Sequence, residues 1–175
     1  THGHEAFLRR KAAAGIDLIS ANLVWQDTGE PIAPATVVRK VTLREGAKVR
    51  EVRLGFIGLT KSNPAFQRDG PDGRRIVTLD PFAAAEKHVP ALKKKADVIV
   101  ALVAMDLEEA RLLPKKVKEI DLILGGDPMP GRGAMQTRTD DFPEDTKIGR
   151  SRIFYIGDQG KNVGEVRLFF NAERG

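Results

Sequence analysis

Two short, unbroken apolar runs constrain this chain more than any other feature. The first spans Val98 to Met105 and the second is Leu122-Ile123-Leu124-Gly125. Eight apolar residues fall far short of the ~18–20 that a membrane-spanning helix needs, and uninterrupted apolar character marks a strand covered on both faces. The residues between them, 107–120, read as a helix interrupted at Pro114. Strand, helix and strand within about 30 residues make a right-handed parallel crossover. The expectation is an α/β fold whose central strands run parallel.

The remaining elements follow from this core. Residues 7–14 read as a helix with Gly15 as its stop signal, and residues 16–23 as a strand. Residues 37–43 and 49–59 form two β-rich runs around Arg44-Glu45-Gly46-Ala47-Lys48, a hairpin in which an edge strand feeds a central one. The stretch 61–75 is rich in Pro, Gly, Asp and Asn and carries no regular element. A helix begins with Asp80 as N-cap and Pro81 in the first turn; its apolar stripe is Phe82, Ala85, Val89 and Leu92, with a kink expected at Pro90. Residues 127–150 form a long polar stretch, and residues 151–157 and 163–170 read as strands that close the sheet. With 175 residues and 41% hydrophobic content, the chain reads as one α/β domain over 1–175.

Composition removes several chemistries. No cysteine is present, which excludes thiolate nucleophiles, cysteine zinc sites and disulfides. The net charge of +5 is carried partly by Lys93-Lys94-Lys95 and Lys115-Lys116, which read as solvated helix surface. One Trp and one Tyr argue against stacking platforms for single-stranded nucleic acid. There is no Gly-x-Ser-x-Gly elbow and no Walker loop. His88, beside Lys87 and off the apolar stripe, reads as an ordinary exposed residue.

Ligands in open α/β sheets bind beyond the carboxyl ends of the strands. Each such end here carries a polar residue or a glycine pair, so Asn22, Thr60, Asp106, Asp127 and Asp158 are the candidate lining of a cleft. The plainer alternative is that Asp and Asn after a strand are turn-formers.

Several phrases resemble the 5′-nucleotidase branch of the calcineurin-like metallophosphoesterases. They are Gly3-His4-Glu5, Leu18-Ile19-Ser20-Ala21-Asn22-Leu23, Leu54-Gly55-Phe56-Ile57-Gly58-Leu59-Thr60, Asp80-Pro81-Phe82-Ala83-Ala84-Ala85, Ile120-Asp121-Leu122-Ile123-Leu124-Gly125-Gly126 and the closing residues 160–168. The resemblance implies part of a four-layer αββα sandwich, with mixed sheets and flanking helices. The N-terminal part of the family domain and its C-terminal nucleotide-binding domain fall outside these residues. It also implies a two-metal centre that activates water against a phosphoester.

The ligand positions do not follow the family. Its metal-ligand asparagine falls on Gly3, a histidine on Ala104, and its Gly-Gly-His-x-His motif on Gly125-Gly126-Asp127-Pro128-Met129. Gly3 and Ala104 have no donor atom in their side chains, and the thioether of Met129 is too soft for hard divalent ions. Asp127 alone could still ligate, and His4, at the family's catalytic histidine, is a vestige. The expectation is a catalytically inactive binding or scaffolding module without a resident metal. Two alternatives stand beside it. One is a hydrolase with a rebuilt Mn, Zn or Mg site made from His4, Asp106, Asp127 and Asp158. The other is one part of a larger assembly that supplies the missing motifs. A protein partner or self-association is expected, because a sheet lacking its first strands exposes an edge. A phosphate-containing small molecule is a further candidate ligand; a nucleic acid and a membrane span are not expected. The resemblance implies an extracytoplasmic, periplasmic location.

Overall fold

The computed structural model describes residues 9, 12–13, 15, 17–46, 48–62, 68–69, 73–126, 147–155 and 164–170. Its centre is a six-stranded mixed sheet in the order β2-β3-β6-β7-β9-β8. β2 (Thr36–Glu45) and β3 (Lys48–Thr60) form the expected hairpin, turning at Gly46 with φ of 58°. A left-handed residue at a tight turn costs glycine least. β3 pairs in parallel with β6 (Val98–Ala104), β6 with β7 (Leu122–Gly125), and β7 with β9 (Ser151–Tyr155). The two unbroken apolar runs are thus inner strands, and β2 is the edge, as expected.

A helix α1 (Pro81–Lys93) lies against β3, capped by Asp80, whose carboxylate accepts from the Phe82 N–H at 2.9 Å. Ala85, Val89 and Leu92 are buried, Phe82 is half-buried, and the helix runs on through the exposed Pro90 to Lys93. Gly55 permits the approach: a Cβ there would lie 2.7 Å from the Cβ of Ala96 and 2.9 Å from Leu92 Cγ. The core joins these residues to Ile57, Leu59, Ile99, Ile123 and Ile153, each worth about 1.5–3 kcal/mol on full burial. Asp97, just before β6, accepts from the Arg53 guanidinium and then from the Arg53 backbone N–H, and this holds its carboxyl down to about 2.

Several expectations need correction. Between β6 and β7 the helix is interrupted near Pro114 as expected, into α2 (Leu107–Ala110) and α3 (Leu113–Lys116), because Pro114 cannot continue a helix but suits the first turn of a new one; it ends at Lys116, short of the expected residue 120. Residues 17–20 form no strand. Ser20 and Ala21 instead donate their backbone N–H groups to Pro34 O and Gly58 O, and the Leu23 N–H bonds back to Ser20 Oγ, which bends the chain. The strand there is only β1 (Leu23–Trp25). It pairs with β5 (Arg75–Thr78), and β5 with β4 (Arg68–Asp69), in a second, three-stranded sheet inside and just beyond the stretch read as irregular.

At the far edge of the main sheet, β8 (Lys147–Ile148) folds onto β9 through Gly149, from within a segment read as polar loop. The expected closing strand at 163–170 does not form over 164–170. The place beside β9 is taken by β8, and none of the described strands pairs with this segment. Val166 and Leu168 are exposed, and Phe169 is 87% exposed. The expected helix at 7–14 is described only at Arg9, Ala12 and Ala13, which are helical; Gly15 has the φ of +60° expected of a stop signal.

Candidate functional site at the strand ends

The register brings the carboxyl ends of four strands to one edge. Thr60 stands beside Ala104, Val103 beside Gly125, and Gly125 beside Tyr155. Glycine at 125 is required by the Tyr155 ring, since a Cβ there would lie 2.5 Å from Tyr155 Cζ. The ring is buried, and its hydroxyl donates to Met105 O at 2.8 Å and reaches Asp106 O at 3.2 Å. The loop after β6 is therefore fixed from beneath.

Asn22, Thr60 and Asp106 come to this edge. Asn22 is fully buried at 0% exposure. Its Nδ2 donates to Thr60 O at 2.7 Å and Leu79 O at 2.9 Å, while its Oδ1 accepts from the Thr60 N–H at 2.9 Å. The backbone carbonyl of Asn22 also accepts from the Leu79 N–H at 2.8 Å. Every polar atom of the amide is thus turned to main chain, which ties β3 to the segment before α1. Buried amides are retained in folds when they are satisfied in this way.

Asp106 is the N-cap of α2: its Oδ1 accepts from the Glu109 N–H at 2.9 Å. Its Oδ2 accepts from the Lys61 ammonium at 2.5 Å, and Glu109 Oε2 lies 3.5 Å from the same nitrogen. The hydrogen bond from Asp106 and the nearby charge of Glu109 raise the pKa of Lys61, which stays a cation. Lys61 also donates its backbone N–H to Ala104 O at 2.9 Å, so the chain after β3 is stitched to the end of β6. Reading the sequence missed Lys61. The signal was available, a cationic residue directly after the polar strand end at Thr60.

His4, Gly3, Asp127, Met129 and Asp158 lie outside the described residues. Ala104 is exposed at the end of β6 and offers a methyl group where the resemblance places a histidine. Among the described residues, no group of three or more His, Cys, Asp or Glu could hold a metal ion. The described part of this edge does not fit a two-metal centre, because its carboxylate is held by an ammonium and a helix terminus and its amide by main chain. No described helix is long and apolar enough to cross a membrane.

No protein-family model matches the chain. A 2′,3′-cyclic-nucleotide 2′-phosphodiesterase/3′-nucleotidase of Haemophilus influenzae is 29% identical over 91 residues, which are 51% of this chain and 14% of that protein. Among solved structures, the calcineurin-like phosphoesterase YfkN of Bacillus subtilis superposes with a TM-score of 0.62 at 22% identity, over 80% of this chain and 46% of that one. A 5′-nucleotidase of Staphylococcus aureus does so with a TM-score of 0.58 at 16% identity, over 90% of this chain and 30% of that one. The chain therefore spans less than half the length of each of these three proteins. It resembles the 5′-nucleotidase-type calcineurin-like phosphoesterases in sequence motifs, and its mixed sheet with flanking helices is the calcineurin-like phosphoesterase fold.

Proposed function

We propose that this chain is a phosphoesterase-fold domain that does not hydrolyse phosphoesters and serves as a binding or scaffolding module. The observation that carries the reading is at the end of β6. Ala104 supplies no donor there, and the neighbouring donors, Asn22 and Asp106, are committed to Thr60, Leu79, Glu109 and Lys61. In a two-metal hydrolase, strand-end side chains must converge on cations to lower the pKa of a bound water. A Lys61 ammonium seated on the Asp106 carboxylate competes directly with any such cation. Interaction with a protein partner, in an extracytoplasmic compartment such as the periplasm, belongs to the same proposal on the strength of the family resemblance.

Turnover decides it. With manganese, zinc or magnesium supplied, the protein is expected to cleave bis(p-nitrophenyl) phosphate and 5′-AMP no faster than buffer, and His4→Ala is expected to change nothing. Metal-dependent turnover that disappears in His4→Ala would overturn the proposal in favour of a rebuilt site.

A further inference from the structure

The outer edge of β2 carries a second feature, independent of what the strand ends do. β2 is ten residues long and is an edge of the main sheet; among the described residues no backbone group pairs with its outer side. An unpaired strand edge is a template for another strand. Beside its first residues runs a groove of about 360 Å³, bounded by Thr36 and Val38 on the strand and by His88, Ala91, Leu92 and Lys95 on and just after α1. His88 is thus half-buried in a groove wall, and not the ordinary exposed residue its sequence setting predicts. Burial, and secondarily Lys87, lowers its pKa.

Charge says what kind of strand fits. The ribbon from Arg39 to Arg53 carries six cations against Glu45 and Glu51, so these fifteen residues hold +4 of the chain's +5. β6 pairs with β3 only from Leu54 onward, so the ribbon's far half overhangs the sheet. The side chains of Lys40 and Thr36 share the face of Val38, whose register partner Gly55 abuts α1, and Lys95 stands across the groove. Some of this charge is balanced: Lys40 pairs with Glu51 within the ribbon, and Arg39 and Arg53 pair with Asp17 and Asp97 outside it. The excess remains positive. A second copy of this edge would bring two strands of net positive charge together, since each β2 holds Arg39, Lys40 and Arg44 against Glu45 alone, and like charges disfavour such a pairing.

We propose that the edge of β2 accepts an extended acidic peptide segment from a partner protein, added as a seventh strand with alternate side chains in the groove along α1. Main-chain hydrogen bonds supply the affinity in this mode and the groove and charges supply selectivity. The test uses a fluorescein-labelled octapeptide of alternating glutamate and valine, followed by anisotropy, with amide hydrogen exchange as a second readout. Saturable binding is expected, weakened about tenfold by Lys40→Glu combined with Lys95→Glu, two surface changes whose folding is checked by circular dichroism. Exchange of the β2 amides is expected to slow on binding. The proposal is overturned if the octapeptide does not bind saturably, if charge reversal leaves binding unchanged, or if the β2 amides gain no protection. Tighter binding of a 20-base-pair DNA duplex to the same residues would also overturn it, and would assign the surface to nucleic acid.

Discussion

Replacing Asn22 with alanine is expected to lower stability by about 3–5 kcal/mol, because the change removes three hydrogen bonds and leaves buried main-chain groups of Thr60 and Leu79 without partners. For a chain of this size that corresponds to a fall of roughly 10 °C in Tm. The mechanism separates this residue from a ligand. A metal-binding asparagine is held for its free donor atom, and its loss mainly weakens the metal. An asparagine whose three bonds all end on backbone is held for the fold, and its loss appears in chemical or thermal denaturation with or without added cations. A drop below about 1 kcal/mol would mean that the site relaxes around the cavity and that the amide is not the tie described here.

The second large effect belongs to Gly58. A Cβ there would sit 2.3 Å from the carbonyl oxygen of Ile19 and 2.8 Å from its carbonyl carbon, both backbone atoms that no rotamer change can move. Gly58→Ala must therefore push the segment before β1 away from β3. That breaks the 2.8 Å bond from the Ala21 N–H to Gly58 O and pulls on Asn22 one residue later. Overpacking of this kind costs about 3 kcal/mol. Because Gly58 and Asn22 hold the same crossing, their combined loss is expected to fall short of the sum. An additive double mutant, measured by urea unfolding, would contradict a shared role.

These two residues also show how far the sequence could be read. The hairpin of β2 and β3 was legible because alternation, a glycine turn and an apolar continuation agree with one another. Helix α1 was legible from Asp80 and Pro81, and the parallel strands β6 and β7 from their unbroken apolar runs. The residues 17–25 were less so. Leu18-Ile19-Ser20-Ala21 reads as a strand locally, but the Ser20 and Ala21 N–H groups go to Pro34 and Gly58, distant partners that no local pattern announces. The two-residue strands β4 and β8 are shorter than any periodicity can reveal, and they exist because β5 and β9 offer an edge. Residues 164–170 err in the opposite direction: Val166-Arg167-Leu168-Phe169 alternates well enough, but a strand requires a neighbour.

At the strand ends, sequence position brought Asn22, Thr60 and Asp106 to one edge without showing what each does there. Whether a carboxylate is free or spent depends on side chains that arrive from elsewhere. Lys61 reaches Asp106 across 45 positions of sequence, and Tyr155 supports the same loop from β9. The absence of a donor at Ala104 needed only the sequence; the commitment of Asn22 and Asp106 needed the fold.

A divalent cation needs free donor atoms at the strand ends, so counting bound cations shows directly whether they are there. Protein purified without chelators, dialysed against micromolar manganese and analysed for metal, is expected to carry no divalent ion at stoichiometric level. Two ions retained per chain, lost together in Asp106→Ala, would show that the Lys61 ammonium yields its place to a metal and that the strand ends form a working metal centre.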